Sequence, residues 1–223
     1  MIKKTIMRFL KKNISLTGLL LLFLSACAQP AKTKAKTDSI AMSDPAKLDT
    51  ATFGTGCFWC SEAIFSSLRG VEKVTCGYGG GNIAFPTYEQ VCTGNTGHAE
   101  VVQIIYNRDS ISYATLLAAF WKSHDPTTLN RQGADEGTQY RSVIFYHNEQ
   151  QKELAEKYKK ELDDSHAFND PIVTEISPFK NFYDAEAYHQ DFYKNNPNYG
   201  YCRVVIVPKL DHFKAVFGDF MKK

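Results

Sequence analysis

Two cysteines three positions apart, Cys57 and Cys60, stand in the run Gly56-Cys57-Phe58-Trp59-Cys60-Ser61-Glu62. A short β-like stretch precedes them and an amphipathic helical pattern follows. A thiol at the start of a helix meets unpaired backbone N–H groups and the positive end of the helix dipole. That environment favours thiolate, the reactive form of cysteine. Two large aromatics separate the thiols, where dithiol redox pairs commonly carry small residues or proline. The pattern predicts a nucleophilic Cys57 with an apolar substrate wall, Phe58 and Trp59, beside it.

The elements that must position these groups alternate along the chain. Strands are expected at Ala51 to Gly56, Val71 to Tyr78, Ala99 to Tyr106, Gln139 to Tyr146, Pro171 to Ile176 and Arg203 to Val207. The third, with Val101, Val102, Ile104 and Ile105, suits a strand covered on both faces. Helices are expected at Phe58 to Leu68, ended by Gly70, at Tyr113 to Lys122 behind the N-cap Ser112, at Glu149 to Leu162 behind Asn148, at Ala185 to Asn195 and at Phe213 to Phe220. Thr87 to Cys92 reads as one helical turn, and 77–98, 123–138 and 195–202 read as long loops. This is a two-layer α/β domain whose active site is built on extended loops.

The first residues read as an export signal. Lys3, Lys4, Arg8, Lys11 and Lys12 precede the apolar run Leu19 to Leu24, which is shorter than the roughly 20 residues that span a bilayer. Leu24-Ser25-Ala26-Cys27 resembles the lipobox of bacterial lipoproteins. On that resemblance cleavage precedes Cys27, which is lipidated, and Ala28 directs the protein to the outer membrane facing the periplasm. An ordinary signal peptide cut nearby is the alternative. Residues 27–49, without an aromatic, read as a flexible tether, leaving residues 50–223 as one domain.

The chain is formally +2, but its first 26 residues hold five basic and no acidic side chains, leaving 21 basic against 24 acidic beyond them. The basic balance therefore gives no reason to expect nucleic acid binding. Setting Cys27 aside, five cysteines remain, an odd number that argues against a complete structural disulfide framework. A single Cys-x-x-Cys without a partner pair gives no metal site. Gly79-Gly80-Gly81 lacks the lysine and spacing of a phosphate loop.

Gly56-Cys57-Phe58-Trp59, the segment Tyr88 to Glu100 ending Gly97-His98-Ala99-Glu100, Asp135-Glu136-Gly137-Thr138-Gln139-Tyr140-Arg141-Ser142, Tyr188-His189-Gln190, Gly200-Tyr201-Cys202 and Pro208-Lys209 together resemble A-type peptide methionine sulfoxide reductases over residues 50–213. The resemblance implies an α+β two-layer sandwich with a ferredoxin-like core and a long C-terminal loop region. It implies reduction of methionine-(S)-sulfoxide, free or in proteins, without a bound cofactor. The reductant is an external dithiol, thioredoxin or a thioredoxin-like protein, and the enzyme is expected to be a monomer.

It also implies roles. Cys57 is the nucleophile and Glu100 the acid that protonates the sulfoxide oxygen. An unperturbed glutamic acid, pKa about 4.3, is only about 0.2% protonated at pH 7, so Glu100 needs burial or a neighbouring thiolate. Phe58 and Trp59 match the pocket for the S-methyl group. Tyr88, Asp135 and Tyr140 match the polar side of the site, and His189 a position near the substrate, although a structural histidine is an equal reading. Cys202 occupies the family's resolving position. Cys60 departs from the commonest family pattern, and its proximity to Cys57 makes it the expected first resolving thiol, with Cys202 alone as the alternative. Cys76 and Cys92 are expected to be buried apolar thiols. A disulfide oxidoreductase using Cys57 and Cys60, and a non-catalytic lipoprotein binding methionine-rich peptides, are the rival functions.

Overall fold

The computed structural model describes residues 44–223. The signal segment, Cys27 and most of the tether lie outside the described residues. The Asp44 side chain caps a 3₁₀ turn at Pro45–Lys47, and the first strand, β1 (Leu48–Thr55), follows directly. The last residues assigned to the tether thus belong to the fold: Leu48 and Asp49 pair with Asn107 and Tyr106, and Lys47 meets Asp109 at 2.7 Å.

After β1 come α1 (Phe58–Ser66), β2 (Val71–Gly79), α2 (Tyr88–Cys92), β3 (Ala99–Asn107) and α3 (Tyr113–Ser123). A small ribbon, β4 (Arg131–Gln132) and β5 (Asp135–Glu136), precedes β6 (Ser142–Tyr146), α4 (Glu149–Asp164), β7 (Glu175–Pro178) and β8 (Phe182–Asp184). Two C-terminal helices, α5 (Phe192–Asn195) and α6 (Val207–Phe217), complete the order. The main sheet runs β7-β6-β1-β3-β2-β8. Only β6 and β7 are parallel; the other neighbours are antiparallel. β1-α1-β2 and β3-α3-β6 are therefore two interleaved split βαβ units, each inserting a strand between the strands of the other. The fold is mixed α+β.

Strand periodicity sorts β3 between two cores. Val102, Ile104 and Tyr106 enter the main core with α1 and α3, whereas Ala99 and Val101 join Val143 and Phe145 in a second cluster under Phe179 and Phe182. Glu100 shares the parity of the helix-facing set, so the strand alternation aims a carboxyl into a hydrophobic layer. Helix α3 is buried nearly all round. Helix α4 buries only Gln151, Ala155, Tyr158 and Leu162, a stripe at intervals of four, three and four.

Five expected elements differ. The strand expected at Pro171 to Ile176 forms at Glu175–Pro178, and the terminal helix expected from Phe213 begins at Val207. The β-branched run Arg203 to Val207 is helical: Cys202–Ile206 forms a π-helical turn that continues into α6. It buries Cys202 and Ile206, with Val204 in solvent, so packing of one face overrides β propensity. The expected helix Ala185 to Asn195 is broken into a 3₁₀ turn (Ala187–His189), a left-handed residue at Asp191, and the four-residue α5. The strand expected from Gln139 starts at Ser142, because Thr138–Tyr140 closes a 3₁₀ turn.

Candidate active site

The β1–α1 junction turns on Gly56, at φ +91°. A Cβ there would lie 2.6 Å from the Gln132 side chain and would need a backbone conformation costly for other residues. Cys57 follows as the N-cap of α1. Its carbonyl accepts from the Cys60 and Ser61 amides at 3.1 and 3.4 Å, and its thiol makes no capping bond. The Ser61 and Thr55 hydroxyls bond at 2.6 Å beneath the turn. The elbow presents the two sulfurs one helical turn apart.

The helix N-terminus is occupied by another group. The Phe58 N–H donates to Glu100 Oε2 at 3.0 Å. Glu100 is almost completely buried, and removal from water pushes its pKa up to about 8 against the opposing pull of the Phe58 amide, with the charges of Asp135 and Cys60 adding to the rise. The carboxyl next to the thiols therefore carries its proton at neutral pH, as a proton donor requires.

The same geometry corrects the expectation for Cys57. Burial raises its pKa well above the ordinary thiol value, and hydrogen bonding with Cys60 and the charge of Glu100 push the same way. Cys60 is lowered to about 7, first by its hydrogen bond with Cys57 and then, against burial, by the positive charge of Lys209 and the Tyr201 hydroxyl. Cys57 and Cys60 therefore titrate as one coupled pair that shares a proton, with Cys57 the more reluctant of the two to lose it. The helix end that was expected to ionise Cys57 has its first amide committed to Glu100.

Aromatic rings close the rest of the site. Phe58 lies 5.9 Å from Tyr78 and 5.0 Å from His189 between ring centroids. The Trp59 indole stacks on Phe192 at 3.7 Å and 6° and donates from Nε1 to His189 Nδ1 at 3.2 Å. This bond fixes the His189 tautomer with the proton on Nε2, an atom buried without a hydrogen-bond partner. Tyr88 packs on the His189 ring at 4.6 Å. Burial raises the Tyr140 pKa, with the negative charges of Glu100, Cys57 and Asp135 adding to it. Tyr201 donates its hydroxyl proton to Asp135 Oδ2 at 2.8 Å and lies 3.7 Å from Cys60 Sγ.

The fold thus gathers Cys57, Phe58, Trp59, Cys60, Tyr88, Glu100, Asp135, Tyr140 and His189 into one neighbourhood, from five separate stretches of chain. Cys202 is near Cys60 but fully buried in a helical turn, not on an open loop. Cys76 is buried against the Phe58 carbonyl at 3.7 Å. Cys92 is exposed, in contrast to the buried thiol expected, because the five-residue α2 buries only Val91. Sequence reasoning gave no role to Tyr201, which joins Asp135 to the thiols; its place beside Cys202 was the available signal. It also passed over Glu186, which accepts from the Tyr78 hydroxyl at 2.8 Å and the Tyr88 amide at 2.9 Å. Among the described residues no group of three or more His, Cys, Asp or Glu is placed to hold a metal ion.

Residues 49–220 match the family model "Peptide methionine sulfoxide reductase". The chain is 54% identical over 175 residues to a peptide methionine sulfoxide reductase MsrA of Acinetobacter baumannii, covering 78% of this chain and 99% of the relative. It is 52% identical over 170 residues to the MsrA of Natronomonas pharaonis, covering 76% and 96%. Among solved structures it is similar to reduced Mxr1 from Saccharomyces cerevisiae, with 38% identity, a TM-score of 0.64, and coverage of 70% of this chain and 89% of that one. It is also similar to methionine sulfoxide reductase A of Corynebacterium diphtheriae, with 34% identity, a TM-score of 0.62, and coverage of 70% and 77%. With a family model spanning nearly all the described residues and relatives more than half identical, the chain belongs to the peptide methionine sulfoxide reductase family, in its MsrA branch.

Proposed function

We propose that this methionine sulfoxide reductase acts on the S-epimer, free or in proteins, with Cys57 as nucleophile and Glu100 as acid. The observation that carries the reading is Glu100 itself: a buried carboxyl, protonated at pH 7, hydrogen-bonded to the residue that follows Cys57. Its proton reaches the sulfoxide oxygen as sulfur is attacked, and the Cys57 proton passes to the Cys60 thiolate. The sulfoxide oxygen ends on Cys57 as a sulfenic acid and the substrate leaves as thioether, so the thiol is oxidised by two electrons and the sulfoxide reduced by two. Phe58 and Trp59 form the wall for the S-methyl group. Tyr88, Tyr140 and Asp135, the last through Tyr201, hold the oxygen side, and His189 holds Trp59.

Cys60 then attacks the sulfenic sulfur, releasing water and forming the Cys57–Cys60 disulfide. Cys202 exchanges into it at Cys60, freeing Cys57, and an external dithiol of thioredoxin type reduces the Cys60–Cys202 bond. Because Cys202 is buried in a π-helical turn, the second exchange requires that turn to open, and single π-turns recur at functional sites. The proximity of Cys60 to Cys57 and its depressed pKa support the order.

The basic segment, the Leu19 to Leu24 run and Leu24-Ser25-Ala26-Cys27 support an anchored form, with lipid on Cys27 and the domain in the periplasm at the outer membrane. Single turnover of each separated sulfoxide epimer by the reduced protein, with trapping of the sulfenate, tests the chemistry. Reduction of the R-epimer alone, or sulfenate on a cysteine other than Cys57, would overturn it. Loss of palmitate labelling in Cys27→Ser tests the anchor.

A further inference from the structure

Trp59 forms the outer part of the proposed methyl wall, yet its own helix does not hold it. Phe192 lies flat against one face of the indole and His189 accepts from its Nε1. Both belong to the segment 189–192, which is neither continuous helix nor strand. Asp191 within it adopts φ +51°, ψ +30°, a left-handed conformation that a residue with a Cβ holds only when its surroundings fix it. Something must fix that turn, or Phe192 leaves the indole.

The fixing group is Glu62. Its side chain is buried on α1, one helical turn after Trp59. Glu62 Oε1 accepts from the Asp191 N–H at 2.8 Å, and Oε2 accepts from the Phe192 N–H at 3.2 Å. Two successive amides around a left-handed residue form a concave nest for an anion, and here the anion is a side chain of the chain itself. On the other side Gln190 pairs with the backbone of Cys76, accepting from its N–H and donating to its C=O, both at 2.9 Å. Gln190 thus ties the segment to β2, and Glu62 ties it to the helix that carries Trp59 and Cys57.

We propose that Glu62 is a positioning residue for substrate binding: its carboxylate clamps the 191–192 turn so that Phe192 backs the Trp59 indole in the orientation that receives the sulfoxide methyl group. The proposal rests on the reading of Trp59 as that wall. Glu62 is not among the groups acting on Cys57 or Cys60 and takes no part in oxygen transfer. Its loss should therefore weaken binding of ground and transition states equally, raising KM and leaving kcat in place.

The chain has two tryptophans, and Trp121 is buried in the core, so acrylamide quenching of the folded protein reports Trp59. Glu62→Gln replaces an acceptor by an N–H donor facing two amides. We expect stronger quenching of Trp59 and a rise in KM of roughly tenfold with kcat within about twofold. Adding Asp191→Gly, which removes the left-handed penalty, should restore part of both. Phe192→Leu keeps the Glu62 bonds to the backbone, leaves no charge unpaired, and should reproduce the quenching and KM changes. Unchanged quenching and KM in folded Glu62→Gln would overturn the proposal. If that variant does not fold, the same result in Phe192→Leu overturns it. An unchanged KM in Trp59→Ala, with quenching of Trp59 still responding to Glu62→Gln, would refute the methyl-wall reading and leave the clamp standing.

Discussion

Replacing Glu100 by Gln should slow the enzyme and stabilise its fold. In an unfolded chain this carboxyl titrates near 4.5, whereas in the fold it titrates at about 8. Between those values the folded chain holds a proton that the unfolded chain has released, so stability falls as pH rises, by up to about 1.4 kcal/mol per unit. The cost is small near pH 5, about 3 kcal/mol at pH 7, and levels off near 5 kcal/mol above pH 8. A glutamine escapes this cost and keeps an oxygen for the Phe58 N–H. Its advantage should therefore widen by about 4 kcal/mol between pH 5 and pH 9. At pH 7 this corresponds to a Tm gain of about 6–12 °C in a domain of this size. The other carboxylates cancel in the difference. Thermal and denaturant unfolding of both reduced proteins at pH 5, 7 and 9 measures it, and single-turnover sulfenate formation should fall by about 10²–10⁴ in the variant. Parallel stability-against-pH curves for the two proteins would refute the reasoning, because the carboxyl would then have no raised pKa with which to keep its proton.

Tyr201→Phe removes the hydroxyl that joins Asp135 to Cys60; the Cys60 pKa should move up from about 7, seen as a shift in the pH dependence of its alkylation. Trp59→Ala should raise KM for the sulfoxide by roughly tenfold or more, the scale of losing a buried aromatic contact, measured by steady-state turnover with a dithiol. Trapping after one turnover should give the Cys57–Cys60 disulfide before any containing Cys202, and mass mapping that finds only Cys57–Cys202 with Cys60 free would reverse the order. Among the cysteines of the described residues, Cys92 should be alkylated first in the reduced, folded protein, since Cys57, Cys60, Cys76 and Cys202 are buried.

The sequence exposes what is local. Gly56 before a thiol and a helical pattern after it mark the elbow, and the alternation of β3 puts Glu100 on one face with Val102 and Ile104. Ser112 and Asn148 cap the helices they were expected to cap. What stays hidden depends on distant partners. The Cys57 thiol is raised where a local reading lowers it, first because the fold buries it and then through Cys60 and Glu100, while Glu100, 42 positions beyond Phe58, takes the helix amide. The run 203–207 looks like a strand until Cys202 and Ile206 are seen to face the core together. The break at Asp191 follows from a carboxylate on α1, which no pattern within 185–195 can announce.

Strand β1 also sets a direction. It spans eight residues, about 26 Å at 3.3 Å per residue, with Leu48 at one extremity and the elbow at the other. Whatever precedes Asp44 joins the domain at the pole opposite the reactive sulfurs. The point where the chain enters the domain and the point where its sulfurs react therefore lie a full strand apart.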